Sequence, residues 1–407
     1  MRLATNLRAA SFALLLLAGV GCRSAPPAGT YAVPHYHRGH YARALEAFEA
    51  AIPEDPRNAV LNHCRAASAA LARRDFDRAL RHLLEADAEM EDLTAAPGET
   101  TAVVVQSEDK KRWKGEPHER AMVSVYGGIC YWRKGNLGNA LAGFKNAMLR
   151  DSDVKDETYR ADVPLHWILA GRAELRLGRT GQAEAAFARA QELAPDNPLA
   201  KIEAHRDANV ILVADVGEGP IRHPHGRHRQ VAVFRRAWYP ERRVRVTVDG
   251  ESAGEVVPCA DLYREAVTRG ERGVQGILDG KAIFKDLSTV AGLLILAESQ
   301  STEGRLLGAG LLGLGLLTSA EADVRHWETL PGEIHLWSAR LEPGVPHEVR
   351  VEFLDDQGRS IGGSRVYRAK LTLREGDDRL LYVRSGPGTE SEPEPEFPKP
   401  EPNGDPR

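Results

Sequence analysis

Two hydrophobic periods divide this chain. Between Tyr31 and His205 apolar residues recur at helical spacing, and from Ala208 onward short runs alternate with a period of two. The helical half repeats itself. In its first unit, entered at Gly39, Ala44 and Ala51 are small enough to let two helices approach. Tyr41 and Phe48 fill the groove between them, and Pro56 ends the pattern. Asp75-Phe76-Asp77-Arg78-Ala79-Leu80 restates it 35 residues on, with Arg74 where a turn glycine would stand. A third copy runs through Gly128, Tyr131, Gly135, Leu137, Ala140, Phe144 and Ala147, and a fourth through Trp167, Gly171, Gly178, Ala183, Phe187, Ala190 and Pro195. Units of this kind are helix pairs that cannot bury their apolar faces alone, so they must stack. Between Glu91 and His118 the pattern lapses: Thr94 to Thr100 reads as a loop and Thr101 to Gln106 as a short β-prone run.

The second half reads as strands. Asn209 to Ala214 is rich in β-branched residues, and Arg229 to Ala237 alternates. Arg243 to Val248 alternates strictly before the Asp249-Gly250 turn, with Gly254 to Val257 as the return strand. Gly217 to Gly226 reads as a turn-rich loop, and Leu262 to Lys285 returns to helical spacing. Two strongly apolar stretches follow, Val290 to Ala297 and Leu306 to Leu317. A helix over the second would be about 18 Å long, short of the roughly 30 Å hydrocarbon core of a bilayer. Its glycines allow close helix contact, and it fits either a buried helical hairpin or a segment that meets a membrane or a partner. Glu333 to Leu341, His347 to Leu354, Ser364 to Leu373 and Arg379 to Val383 read as a β-meander at the spacing of a small sandwich. The expectation is a multidomain α+β chain. An α-solenoid covers 31–205 and a β-rich domain covers 206–384, with an apolar helical insert at about 260–325. The acidic, proline-rich tail over 385–407 cannot bury a core and is expected to be disordered.

The spacings of the four helical copies resemble tetratricopeptide repeats. The signature positions are Gly39, Ala44, Phe48 and Pro56, then Gly128, Gly135, Ala140 and Phe144, then Trp167, Gly171, Gly178, Ala183, Phe187 and Pro195. The resemblance implies an interaction scaffold with a protein or peptide partner on the concave face of the solenoid. Asn62, Arg65, Arg133 and Arg172 on the first helices are the polar residues placed to line that groove.

The start of the chain bears on location. A charged segment, Met1 to Arg8, precedes an apolar run from Ala9 to Ala18 and then Gly19-Val20-Gly21-Cys22, the pattern of a cleavable signal over 1–21 with a linker over 22–30. Cys22 after small residues resembles the lipobox of a bacterial lipoprotein. That resemblance implies a diacylglycerol thioether on Cys22, cleavage before it and acylation of the new amino terminus. Two or more acyl chains give stable attachment to a membrane. Arg23, where inner-membrane lipoproteins of enteric bacteria usually carry Asp, leans toward outer-membrane sorting. The expected location is the bacterial cell envelope, at the outer membrane facing the periplasm. Further on, Ala322-Asp323-Val324-Arg325-His326-Trp327-Glu328-Thr329-Leu330-Pro331 resembles an uncharacterised family of envelope lipoproteins with an A-D-x-R-x-W-x-x-L-P string. Asp323, Arg325 and Trp327 suggest a charge pair and an aromatic anchor holding the insert against the sheet.

Composition excludes more than it suggests. The chain is 42% hydrophobic and 28% charged with a formal charge of −4, which offers no basic field for nucleic acid. Cys64, Cys130 and Cys259 are isolated and lack metal-binding spacing. The histidine clusters His35-x-His37-x-x-His40 and His223-x-His225-x-x-His228 are the candidates for metal. There is no nucleophile elbow, phosphate loop or HExxH string. The expectation is therefore a lipid-anchored scaffold, not an enzyme, with no cofactor and no small-molecule substrate. The alternative is a subunit of an envelope assembly or export machine whose Gly/Leu-rich hairpin contacts membrane or a pore protein.

Overall fold

A computed structural model describes residues 29–95, 112–152, 159–225, 231–269 and 322–388. Cys22, the apolar stretches at 290–297 and 306–317, His228 and the tail from 389 lie outside the described residues. The molecule is a mixed α+β protein. Its helices are α1 (Val33–His37), α2 (Tyr41–Glu54), α3 (Ala59–Ala72), α4 (Phe76–Ala95), α5 (Pro117–Arg133), α6 (Leu137–Asp151), α7 (Pro164–Arg176) and α8 (Thr180–Leu193). A short helix α9 (Glu203–Arg206) leads to the strands, and α10 (Leu262–Arg269) follows strand β6. No helix among the described residues is long and apolar enough to cross a membrane.

The first eight helices form four antiparallel pairs in register with the four sequence copies. Each pair turns on a residue in the left-handed region: Gly39 (φ 79°), Arg74 (φ 60°), Gly135 (φ 77°) and Gly178 (φ 73°). Glycine adopts this conformation without strain; Arg74 does so at a cost. Within a pair, a glycine on the first helix leaves room for an aromatic ring on the second. A Cβ on Gly128 would stand 2.5 Å from Phe144 Cε1, and one on Gly171 would stand 2.9 Å from Phe187 Cε2. Helix α4 runs on through Thr94 and Ala95, where the sequence reads as loop, because no breaker precedes Pro97.

The strands are β1 (Val210–Val216), β2 (Ile221–His225), β3 (Val231–Arg235), β4 (Arg243–Val248), β5 (Glu251–Ser252), β6 (Val257–Asp261), β7 (Glu333–Ala339), β8 (Pro346–Leu354), β9 (Val366–Thr372) and β10 (Arg379–Arg384). They do not form the expected meander. One sheet has the order β10-β1-β7-β6, with β10 parallel to β1, and a second has the order β5-β4-β8-β9. Strand β2 falls in the segment read as a loop and pairs with β3 in a separate hairpin. The return strand after β4 is only Glu251–Ser252, and Val257 instead begins β6, which pairs with β7 in the other sheet. Ser385 to Gly388, assigned to the tail on composition, are built into the structure. Ser385 N–H donates to Asp215 O, and its Oγ accepts from Gly217 N–H at 2.7 Å.

The layers explain this topology. Every residue of β1 is buried, as expected of a strand covered on both faces. Ile211 and Val213 face the helices together with Leu380, Tyr382, Ile334 and Leu336. Val210, Leu212, Ala214 and Val216 face the second sheet with Val246, Val351 and Phe353. The first sheet is thus the middle of three layers. Helix α3, buried at every position but His63, and helix α5 lie between that sheet and the outer helices. Small side chains such as Ala66, Ala67, Ala69 and Ala70 permit the double contact.

Adjacent glycines in α5 test this packing. Gly127 has open space around its Cβ position and Gly128 meets Phe144. In urea unfolding, Gly127→Ala should stabilise by up to about 1 kcal/mol from helix propensity, whereas Gly128→Ala should destabilise by about 1–3 kcal/mol from overpacking. Equal shifts for the two would contradict the proposed close approach.

Candidate functional site

The four polar residues assigned to the solenoid groove are buried, and the three arginines face the chain's own second half, with Asn62 supporting Arg65. Asn62 is 0%, Arg65 1%, Arg133 5% and Arg172 0% exposed. Arg65 Nε donates to Glu328 Oε2 at 2.9 Å and its Nη1 to Asn62 Oδ1 at 3.0 Å. Arg133 Nη1 donates to Leu380 O of β10 at 2.9 Å. Arg172 pairs through two nitrogens with Asp378, at the entry to β10, and donates to Ser338 Oγ of β7 at 2.7 Å. Arg365 Nη1 donates to Ala72 O at the end of α3 at 3.0 Å. A buried guanidinium needs such partners, because an isolated charge out of water is costly.

The segment before β7 completes the seal. Trp327 is 1% exposed; its indole N–H donates to Ser68 Oγ and Thr329 Oγ1, both at 2.9 Å, and its backbone N–H to Glu119 Oε1 at 2.6 Å. Arg325 folds back on Asp323 through Nε at 2.9 Å and donates from Nη1 to Asn58 Oδ1 at 2.9 Å. Asp323, Arg325 and Trp327 therefore come together, with contacts to Asn58 and to helices α3 and α5, and Arg325 O accepts from Arg222 Nη1 of β2 at 3.4 Å; residues 270–321 of the insert lie outside the described residues. Burial pushes the Glu119 carboxyl up to about 8 against two backbone N–H donors.

A buried polar knot sits where the helices meet β1 and β10. Asp215 Oδ2 accepts from Tyr126 at 2.6 Å, Tyr382 at 2.7 Å and Arg384 Nη1 at 3.3 Å. Burial raises the Asp215 carboxyl from its ordinary value while Arg384 holds it down. The guanidinium of Arg384 also stacks over Tyr36, 5.2 Å from the ring centroid.

Beside this knot opens a cleft of about 360 Å³ between α1–α2 and the sandwich. Its walls carry Tyr36, Tyr41, Trp238 and Tyr239, with Glu218, Glu241, His37 and Arg384 as charged or titratable groups. His37 Nδ1 lies 3.2 Å from Glu218 Oε1, which lowers that carboxyl from its ordinary value. Gly217, at φ 70°, gives Tyr239 its place, since a Cβ there would occupy the ring. Sequence reasoning missed this site. Its one visible signal was Trp238-Tyr239-Pro240, an aromatic pair stopped by a proline after a strand.

The other candidates resolve differently. His37 turns to Glu218, while the rings of His35 and His40 face each other at 6.1 Å. His223 and His225 share one face of β2. Cys64, Cys130 and Cys259 are buried free thiols; burial pushes Cys259 up to about 12 and the other two upward as well. Asp151, Asp162 and Glu265 bring one oxygen each within 4.8 Å of one another, beside His118 and His166, a donor set that suits a hard cation. Arg264 reaches Asp162 at 3.3 Å, and all five residues have further contacts.

No family model and no curated protein matches this chain. Among solved structures it is similar to the Rap conjugation gene regulator of the plasmid pLS20 in complex with the Phr* peptide. The identity is 11%, over 73% of this chain and 75% of that one, with a TM-score of 0.23. A likeness at that level carries no argument about function.

His205 reports on the inner face. Its Nε2–H donates to Leu199 O at 2.9 Å, leaving Nδ1 to accept from Arg172 at 3.2 Å. Burial, then Arg172, lowers its pKa from 6.5 to about 3; burial lowers His63 to about 4. The unfolded chain takes up protons near 6.5 that the folded one refuses, so these two rings withdraw stability as pH falls below that value. Histidine NMR at pH about 5 should find the His205 ring neutral, and His205→Gln should show a shallower acid loss of Tm. A His205 that protonates near its ordinary value would contradict the contact with Arg172.

Proposed function

We propose that this protein is a non-catalytic binding protein of the bacterial cell envelope. In this reading acylated Cys22 tethers it, at the outer membrane on the periplasmic side, and the solenoid holds the sandwich rather than an outside ligand. The partner, a protein or peptide, docks at the aromatic cleft where α1 and α2 meet the sandwich. The observation that carries this reading is the use of Arg65, Arg133 and Arg172 within the chain, beside an open cleft with Trp238 80% exposed. Exposed aromatic rings are frequent anchors of protein interfaces.

Two measurements test the halves of this reading. Palmitate labelling should mark the wild type and not Cys22→Ser, and Cys22→Ser should leave the membrane fraction. An unlabelled wild type, or a Cys22→Ser protein still on membranes, would contradict the anchor. A photo-crosslinking residue at position 238 should give discrete envelope adducts that the same residue at Leu149, 71% exposed on α6, does not give. Matching adducts from both positions would contradict a specific cleft.

A further inference from the structure

The cleft has a chemical preference, written in how its aromatic rings are already used. Arg384 stands over Tyr36 at 5.2 Å, Arg365 over Tyr41 at 4.9 Å and Arg242 over Tyr239 at 4.4 Å from the ring centroids. Three of the four aromatic rings lining the cleft thus carry an arginine of the chain itself. The fourth, Trp238, has no cation or ring partner among the described residues and is 80% exposed. Indole is the strongest of the aromatic faces for a cation.

The carboxylates point the same way. Glu241 lines the cleft at 6% exposure, and no side chain pairs with it among the described residues. Burial raises its carboxyl from the ordinary value, and Glu218 adds to that. Its own backbone N–H and the charges of Arg384 and Arg242 oppose this, but neither guanidinium hydrogen-bonds to it among the described residues. Glu218, in the same wall, has His37 as its ion-pair partner among the described residues. Arg384, whose Nη1 lies 3.3 Å from Asp215 Oδ2, also lowers Glu218 and Glu241 through its charge. Three carboxylates, Glu218, Glu241 and Asp215, thus stand among three guanidiniums, Arg384, Arg365 and Arg242, and of the three carboxylates Glu241 has no side-chain hydrogen bond or ion pair among the described residues.

We infer that the cleft binds a lysine or arginine side chain of a peptide segment, its cationic head between the indole of Trp238 and the carboxyl of Glu241. Resting on the reading of this cleft as the partner site, the inference names the partner's chemistry: a basic segment. The aliphatic stem would lie along Tyr41 and Tyr239, as long basic side chains do on apolar surface.

The test uses the full-length protein and capped hexapeptides of one sequence with lysine, arginine, norleucine or glutamate at the centre, read by tryptophan fluorescence. The lysine and arginine peptides should give a saturable change; the norleucine and glutamate peptides should bind at least about tenfold more weakly, as expected for loss of one charge-assisted contact. Glu241→Gln should weaken the lysine peptide by about tenfold, and Trp238→Ala by about threefold or more. Trp238→Ala alters an exposed side chain, so it reads binding even where the Glu241 variant folds poorly; for it the readout is peptide fluorescence anisotropy. Equal binding of norleucine and lysine, unchanged affinity in Trp238→Ala, or no response to the basic peptides would overturn the inference. If that happens while crosslinks from position 238 persist, the cleft remains a partner site and only its preference for a cation falls.

Discussion

Two guanidinium groups buried on the inner face of the helical layer set the terms for the rest of the molecule. Arg65 and Arg172 are inside the protein because Glu328 and Asp378 meet them there. Removing one partner from a buried pair costs about 3–5 kcal/mol, since the other charge is left without water or a counter-ion. The pairs span 263 and 206 residues of sequence, so the helical and β halves are bonded to each other's interior. Repeat helices that would ordinarily present a concave surface to a ligand present it here to β10, β7 and the Trp327 segment.

The consequences run outward in both directions. The first sheet must be apolar on both faces, which is why β1 has no exposed residue. The inner helices must be slim, which is why α3 is rich in alanine and why Gly128 and Gly171 receive aromatic rings from the helices behind them. With the groove filled, recognition passes to the seam where the short first pair ends and the sandwich begins. There Tyr36, Arg384 and Asp215 join the layers beneath a cleft whose rim is still open.

Much of this was legible in the sequence, and its limits are physical. The helix pairs were readable because Gly39, Gly135, Gly178, Phe48, Phe144 and Phe187 recur at spacings set by local helix geometry. Most strand positions followed from alternation, but strand partners did not. The parallel union of β1 with β10 joins residues near 210 to residues near 380, and no local pattern encodes that distance. The same holds for the inner face: Asn62, Arg65, Arg133 and Arg172 were identifiable as groove residues, whereas their occupant depended on tertiary contacts with Glu328, Leu380 and Asp378. The cleft was harder still, because Tyr36, Trp238, Glu241 and Arg384 converge from segments that read separately as helix start, loop and strand end.

A double-mutant cycle across the joint tests the account most directly. Arg172→Leu and Asp378→Leu should each destabilise strongly in equilibrium unfolding, and the double variant should lose less than the two together, with a coupling energy of about 0.5–3 kcal/mol. Additive losses would mean that Arg172 and Asp378 do not meet, and that the inner face of the solenoid is open to an outside ligand after all.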